Sequence, residues 1–404
     1  MKVLFVVTAF PRHEADIITP WMGETIRRLK RAGTEVEVLA PSYRGSVSGL
    51  VGELRVHRFR YGPAWLETLT HDMPAMDRIN GNPLFASLLP AYVASGSAAA
   101  ARVARQGDFD VVHAFWPIPH GIMAMAAKRA SKAALVSTFF SSELNWKGAL
   151  RPAAARLLRR IVAASDAVTV ISTYTANRLR EYVPAIEAVT IPFGAAAASH
   201  VPAGLTTTRR AADAPFELLF VGRLVRRKGV DVLLRAVNRL RDDARLHLTI
   251  VGGGPELAPL KLLCAELELG PRVAFEGVVD QARVEGMFVR CDALILPAIV
   301  TESGETEGLG VVLIEAMGNG KPVIATSAGG ITDIVQHGVT GLLAPPGDVQ
   351  GLADAVMRMM DNPDESAAMA RRGSAFAAEA FGWDAIISRL QEVYASAVKR
   401  RDWR

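Results

Sequence analysis

The chain alternates twice between short, continuously apolar segments and helix-length amphipathic ones. This double alternation limits it to one class of fold. Segments rich in apolar residues at 3–7, 35–39, 110–113, 134–138 and 167–171 read as strands. Amphipathic segments at 23–31, 121–129 and 153–164 read as helices between them. A strand that is apolar at every position is covered on both faces, the mark of a parallel, doubly wound sheet with helices on each side. The pattern stops at residues 193–215, which are rich in Ala, Gly, Thr and Pro and have no period. That stretch reads as a linker. Alternation then restarts, with strands at 217–221, 246–251, 272–275, 293–296 and 322–326 and helices from 230 and 255. The expectation is α/β with two Rossmann-like domains. Residues 1–195 form the first domain, joined by a C-terminal helix at 383–404. Residues 196–215 are the linker, and 216–382 form the second domain. Two such domains facing a central cleft place a ligand at the carboxyl ends of their strands.

Bulk properties narrow the partners. The chain has 404 residues, half of them hydrophobic, and ample core for two domains. A net charge of +5 and a pI near 9.3 suit anionic ligands such as nucleotide diphosphates, or an anionic membrane surface. The positive charge is not gathered into a tail or stripe, which argues against nucleic acid. Two cysteines, Cys264 and Cys291, form neither a disulfide framework nor a C-x-x-C pair, as expected in a reducing cytoplasm. The apolar start follows a single Lys2 and runs at once into Pro11, Arg12, His13, Glu14 and Asp16, so it reads as a buried first strand rather than a signal segment. No apolar run of transmembrane length stands out. A basic amphipathic segment at 151–160 sets Arg156, Arg159 and Arg160 beside Leu157, Leu158 and Ile161. It suits either ordinary packing or peripheral contact with the inner face of an anionic membrane.

Three segments carry the chemistry. In residues 307–322, Glu307 is followed by Gly308, Leu309 and Gly310, and then by an apolar helical run that holds Glu315. The glycines allow close backbone approach, and a helix starting there aims its positive end at a phosphate. A carboxylate within that run needs hydrogen-bond donors, which sugar or ribose hydroxyls supply. Taken alone, the two glutamates also fit an acid–base pair. In a second loop, Gly222 ends a strand, and Arg223 and Lys228 flank the turn before Gly229. Two fixed cations there match a diphosphate or a solvated basic loop. The third segment, Gly252-Gly253-Gly254-Pro255, resembles a phosphate-cradling turn but lacks the full dinucleotide fingerprint.

In combination these segments resemble family 4 of the retaining glycosyltransferases, which have the GT-B fold. Phe275-Glu276-Gly277-Val278, Ala328-Gly329-Gly330-Ile331 and the segment from Gly338 to Leu343 extend the likeness over nearly the whole chain. The resemblance implies that Arg223 and Lys228 bind the donor diphosphate, with Gly222 and Gly254 beside it. It implies that Gly308, Leu309 and Gly310 present N–H groups to the diphosphate, that Glu315 binds the ribose and that Val278 meets the base. Glu307 lies beside the donor sugar, which makes Glu307, Arg223 and Lys228 the expected catalytic set. The resemblance further implies front-face attack, in which the departing phosphate helps to deprotonate the acceptor. No Asp-x-Asp pair is placed for a metal, so no metal and no cofactor beyond the nucleoside-diphosphate sugar are expected. A UDP-sugar is the expected donor, ahead of a GDP-sugar. The acceptor is a lipid, a saccharide or a small molecule.

The first domain departs from the family pattern. Phe140 stands where the family carries a histidine. His113-Ala114-Phe115-Trp116 resembles His-x-His-Trp without its second histidine, and Phe10-Pro11-Arg12-His13 replaces a Gly-Gly loop. The segment 191–196 lacks the family's acidic residue. Phe10, Trp116 and Phe140 form either an aromatic wall for a specialised substrate or ordinary packing. Pro11, His113 and His120 complete the acceptor-side candidates. Other readings on the same fold are a sugar-nucleotide epimerase, a phosphorylase and a non-catalytic nucleotide-sugar sensor.

Overall fold

The computed structural model describes residues 1–402 apart from 15, 17, 73–74, 147, 149–150 and 195–214. Nearly all of the expected linker, and the last two residues of the 191–196 segment, therefore lie outside the described residues. The chain divides into two compact units. The first holds Met1–Ile171, Thr175–Pro192 and Ile386–Arg404, and the second holds Ser172–Tyr174 and Phe193–Ala385.

The first unit is built on eight strands: β1 (Lys2–Val6), β2 (Glu35–Pro41), β3 (Gly49–Val51), β4 (Leu54–Phe59), β5 (Val111–Phe115), β6 (Ala134–Phe139), β7 (Ala167–Val170) and β8 (Val189–Thr190). Their order across the sheet is β3-β4-β2-β1-β5-β6-β7-β8, and only β3 runs antiparallel to its neighbour. Helices α1 (Pro20–Arg31), α2 (Ala75–Gly81), α3 (Leu89–Gly107), α4 (Pro117–Ala130), α5 (Arg151–Ala164) and α6 (Thr173–Arg180) connect them. The strand order reverses between β1 and β5, because β2 lies on one side of β1 and β5 on the other. Residues 3–7 and all of β5 and β6 are buried, which accounts for their largely apolar make-up; the polar residues among them, His113, Ser137 and Thr138, are hydrogen-bonded.

One helical stretch corrects the expectation that nothing is long and apolar enough to span a membrane. Pro83–Gly107 passes by length and composition. It is rich in Ala and Ser, so no bulky apolar run announces it. Tyr92, Gly96, Ala99, Ala100, Val103 and Ala104 of α3 are buried, most of them against Leu4, Val6, Met123 and Ala124 in the core.

The second unit has six parallel strands: β9 (Phe216–Val221), β10 (Leu246–Val251), β11 (Val273–Gly277), β12 (Ala293–Leu296), β13 (Val323–Thr326) and β14 (Leu342–Ala344). Their order is β11-β10-β9-β12-β13-β14. Helices α7 (Val230–Arg239), α8 (Leu257–Glu266), α9 (Gln281–Arg290), α10 (Val311–Gly318), α11 (Val349–Asp361) and α12 (Pro363–Ala380) cover it. The order reverses between β9 and β12, so the loops leaving those two strands border the crevice where ligands bind in such sheets.

The last helix, α13 (Trp383–Asp402), joins the first unit from Ile386 onward. Its Tyr394 hydroxyl lies 2.8 Å from Nδ1 of His113. The other ring nitrogen of His113 meets Thr138 Oγ1 at 2.6 Å, and Thr138 meets Thr169. All four residues are buried. Removing the hydroxyl in Tyr394→Phe leaves a buried imidazole nitrogen unpaired. The expected cost is about 1–3 kcal/mol of stability, read as a lower denaturant midpoint at unchanged slope. An unchanged midpoint would show that the hydroxyl contributes nothing.

Candidate active site

The crevice loops of the second unit are laced together by main-chain hydrogen bonds. Gly222 N–H donates to Val251 O at 3.0 Å, and Leu224 N–H to Gly253 O at 2.9 Å. Glu256 N–H donates to Leu224 O, and Gly252 N–H to Gly277 O. This approach requires glycine. At Gly252 and Gly254, with φ of 136° and 155°, a Cβ would sit 1.9 Å from Gly222 O and 2.3 Å from Leu224 O. The triple-glycine turn thus holds the loop after β9 in place. Val278 adjoins it, within 2.9 Å of where a Cβ on Gly253 would lie, and is 83% exposed.

The loop after β9 ends in a 3-10 turn, Arg226–Lys228, stopped by Gly229 in the left-handed region. Its far side is held by Ile299 N–H, which donates to Arg227 O at 2.9 Å. Arg223 is exposed. The Lys228 side chain folds back so that its Cε lies 3.7 Å from where a Cβ on Gly222 would be. Its ammonium reaches Glu307 Oε2 at 2.6 Å. The two residues, 79 positions apart in sequence, meet because β9 and β12 are neighbours.

Glu307 is largely enclosed. Burial alone would raise its carboxyl pKa. The Lys228 charge and hydrogen bond, the Arg227 charge and the Gly310 N–H outweigh this and hold it below the usual glutamate value. Glu307 is therefore a carboxylate at neutral pH. Oε2 meets the Lys228 ammonium at 2.6 Å and, among the described residues, has no other hydrogen-bond partner. That oxygen can accept a hydrogen bond from a ligand hydroxyl.

The backbone of Glu307 is held from the far side by Gly329 and Gly330, whose part the sequence showed only as a motif extension. Gly330 N–H donates to Glu307 O at 3.0 Å, and a Cβ on Gly329 (φ 58°) would lie 1.9 Å from the same oxygen. Leu309 is buried and Gly308 half-buried. Gly310, with φ of 96°, caps α10, and its N–H points to Glu307. Glu315 falls in the second turn of α10 and is half-buried.

The first unit places its candidates less uniformly. Trp116 and Phe140 stack at 4.2 Å and 20°. The third ring of this group is Trp21, 5.5 Å from each, a residue the sequence did not single out. Phe10 is only 1% exposed. Its carbonyl and that of half-buried Pro11 accept from the buried Arg58 guanidinium at 3.0 and 2.6 Å. His120 bonds Trp116 O at 2.9 Å and the Tyr92 hydroxyl at 3.0 Å. Burial pushes His113 down to about 3 and His120 down to about 4. Both are neutral and enclosed, with both ring nitrogens engaged. Among the described residues, no three His, Cys, Asp or Glu side chains gather as a metal set.

Comparison with known proteins now decides the family. Residues 208–376 match the model of glycosyl transferases group 1, and residues 21–196 match that of Glycosyltransferase Family 4. The chain is a family 4 glycosyltransferase of the GT-B fold. This glycosyltransferase is 30% identical over 390 residues to the GDP-mannose-dependent alpha-(1-6)-phosphatidylinositol monomannoside mannosyltransferase of Mycolicibacterium smegmatis, covering 89% of this chain and 97% of that one. It is 27% identical to the N-acetyl-alpha-D-glucosaminyl L-malate synthase of Bacillus anthracis, covering 77% of this chain and 81% of that one. Among solved structures, sucrose-phosphate synthase from Thermosynechococcus elongatus matches with a TM-score of 0.76 at 23% identity, covering 98% of each chain. The full-length mannosyltransferase relative does not support the expected preference for a UDP-sugar and leans toward GDP-mannose.

Proposed function

We propose that this glycosyltransferase moves mannose from GDP-mannose to a hydroxyl of a lipid-linked or saccharide acceptor, with retention at the anomeric carbon. The observation that carries the site is the Lys228–Glu307 contact at the strand-order reversal of the second unit. The full-length mannosyltransferase relative supports the donor. In this reading Lys228, Arg223 and the N–H groups at Gly308 and Leu309 face the diphosphate, the Gly310 N–H holds the Glu307 carboxylate instead, and Glu315 faces the ribose. Glu307 Oε2 accepts from a hydroxyl of the donor sugar. The bond from C1 to the diphosphate oxygen breaks, and the acceptor oxygen bonds to C1 on the same face. The acceptor proton passes to the departing phosphate. Charge that develops on the diphosphate is met by fixed cations and N–H groups, which act without reorganisation. No metal is needed in this scheme.

A thermal-shift screen tests the donor. A ligand that binds only the folded protein stabilises it by about 2.7 kcal/mol at a hundred times its Kd. GDP and GDP-mannose are expected to raise the Tm by several degrees, and UDP-sugars by less. A shift with UDP-sugars alone would overturn the GDP reading, and no shift with any nucleoside diphosphate would overturn the site. The lipid acceptor fits peripheral contact with an anionic membrane, supported by Arg156, Arg159 and Arg160 on the exposed side of α5.

A further inference from the structure

A carboxyl group outside the expected set sits at the carboxyl edge of the first sheet. Glu143 lies in a 3-10 turn, Ser142–Leu144, directly after β6. It is 7% exposed. Its Oε1 accepts from Phe140 N–H at 2.8 Å, its own N–H also bears on the carboxyl, and Oε2 has a long contact to Ser142 Oγ at 3.3 Å. Among the described residues no Lys, Arg or His pairs with it. A cation and a phenol from α6 and its end hold a carbonyl of the same turn. Arg178 reaches Leu144 O and Asn145 Oδ1, and the Tyr182 hydroxyl donates to Leu144 O at 2.7 Å. The Trp146 indole donates to the Glu143 carbonyl, not to its carboxyl.

A loop cap does not explain this residue. A glutamine oxygen would accept the same Phe140 N–H without the cost of burying a charge. The backbone around it is also strained. Ser141 has φ 84°, and Trp116, at the end of the neighbouring β5, has φ 52°. Left-handed non-glycine residues of this kind concentrate where a ligand is handled. Phe140, whose ring stacks on Trp116, offers no polar group to a substrate.

We propose that the Glu143 carboxylate binds a substrate hydroxyl at the edge of β6, supplying the polar contact that Phe140 cannot. The inference rests on the transfer reading above. The hydroxyl belongs either to the acceptor or to the donor sugar, and kinetics separate the two. Burial pushes the Glu143 carboxyl up to about 7, and the Glu143 and Phe140 N–H groups and the Ser142 hydroxyl offset this only in part. The carboxylate form therefore grows through neutrality, and kcat/KM of the native enzyme is expected to rise with pH through about 7.

The test is Glu143→Gln, which keeps the acceptor for Phe140 N–H. The folded state holds its proton more tightly than the unfolded chain between the ordinary glutamate value and about 7. Native stability therefore falls as pH rises through that window, and the variant, lacking this loss, should be at least as stable at pH 8. Transfer is expected to drop by about a hundredfold, and the rise through pH 7 should vanish. A raised acceptor KM assigns the hydroxyl to the acceptor. A raised donor KM, or loss of slow donor hydrolysis, assigns it to the sugar. Wild-type rates with the same pH profile would overturn the proposal. Should the variant fail to fold, a native kcat/KM that is flat between pH 6 and 8 would overturn it equally. If the native protein transfers nothing from any nucleotide sugar, the transfer reading fails instead.

Discussion

Lys228→Ala is expected to lower kcat/KM for transfer by about two to three orders of magnitude while the fold persists. Removing one fixed charge that meets a developing anion typically has that effect. A second loss adds to it. Lys228 is the foremost group holding Glu307 ionised against burial. Without it the Glu307 pKa rises, so a growing share of the carboxyl is protonated near neutrality. The remaining activity of Lys228→Ala should therefore increase with pH as the carboxylate returns. Glu307→Gln should cut transfer comparably and show no such recovery. The double variant should lose less than the sum, because the two side chains act as one pair at 2.6 Å. Near-normal turnover in Lys228→Ala, or strictly additive losses, would sink the assignment of the pair.

Gly329→Ala is expected to damage both stability and activity, although residue 329 reaches no ligand through a side chain. A left-handed alanine costs about 1–2 kcal/mol, and overpacking adds about 1–3 kcal/mol. The added methyl would lie 1.9 Å from Glu307 O, against rigid backbone. Glu307 must move, and a displacement near 1 Å at a reacting group can cost about a hundredfold in rate. Gly347→Ala is the control. Its φ is 80°, but nothing lies within 4 Å of the added carbon. It should show the backbone penalty alone and keep its rate. Equal behaviour of the two variants in Tm and kcat would show that Glu307 is not held by Gly329.

The sequence made the parts that depend on local chemistry readable. Lys228 and Glu307 stand out because each lies beside glycine in a loop that follows a strand. The parallel strands are readable because most of their positions are apolar and buried. What escaped was set by contacts between distant segments. His113 looks like a strand-end histidine near a ligand, yet Tyr394, 281 residues away, closes over it. Gly329 has no chemistry of its own, and its place is purely spatial. A glutamate in a loop is ordinary in a sequence, and only burial singles out Glu143. Phe10 was grouped with Trp116 and Phe140 by type, but Trp21 is the ring that joins them. Helix α3 passed unseen because alanine and serine carry no strong period.

The place of α13 bears on the order in which the molecule is made. The second unit ends at Ala385, whereas the first is completed only by Ile386–Arg404. At about 5–20 residues per second, translation reaches Tyr394 tens of seconds after Pro192 has emerged. Through that interval the His113 imidazole and the Thr138 and Thr169 hydroxyls lack their closing phenol. A ribosome-bound chain should therefore finish its second half before its first, and shortening the C-terminus should damage the N-terminal unit rather than the one beside it in sequence.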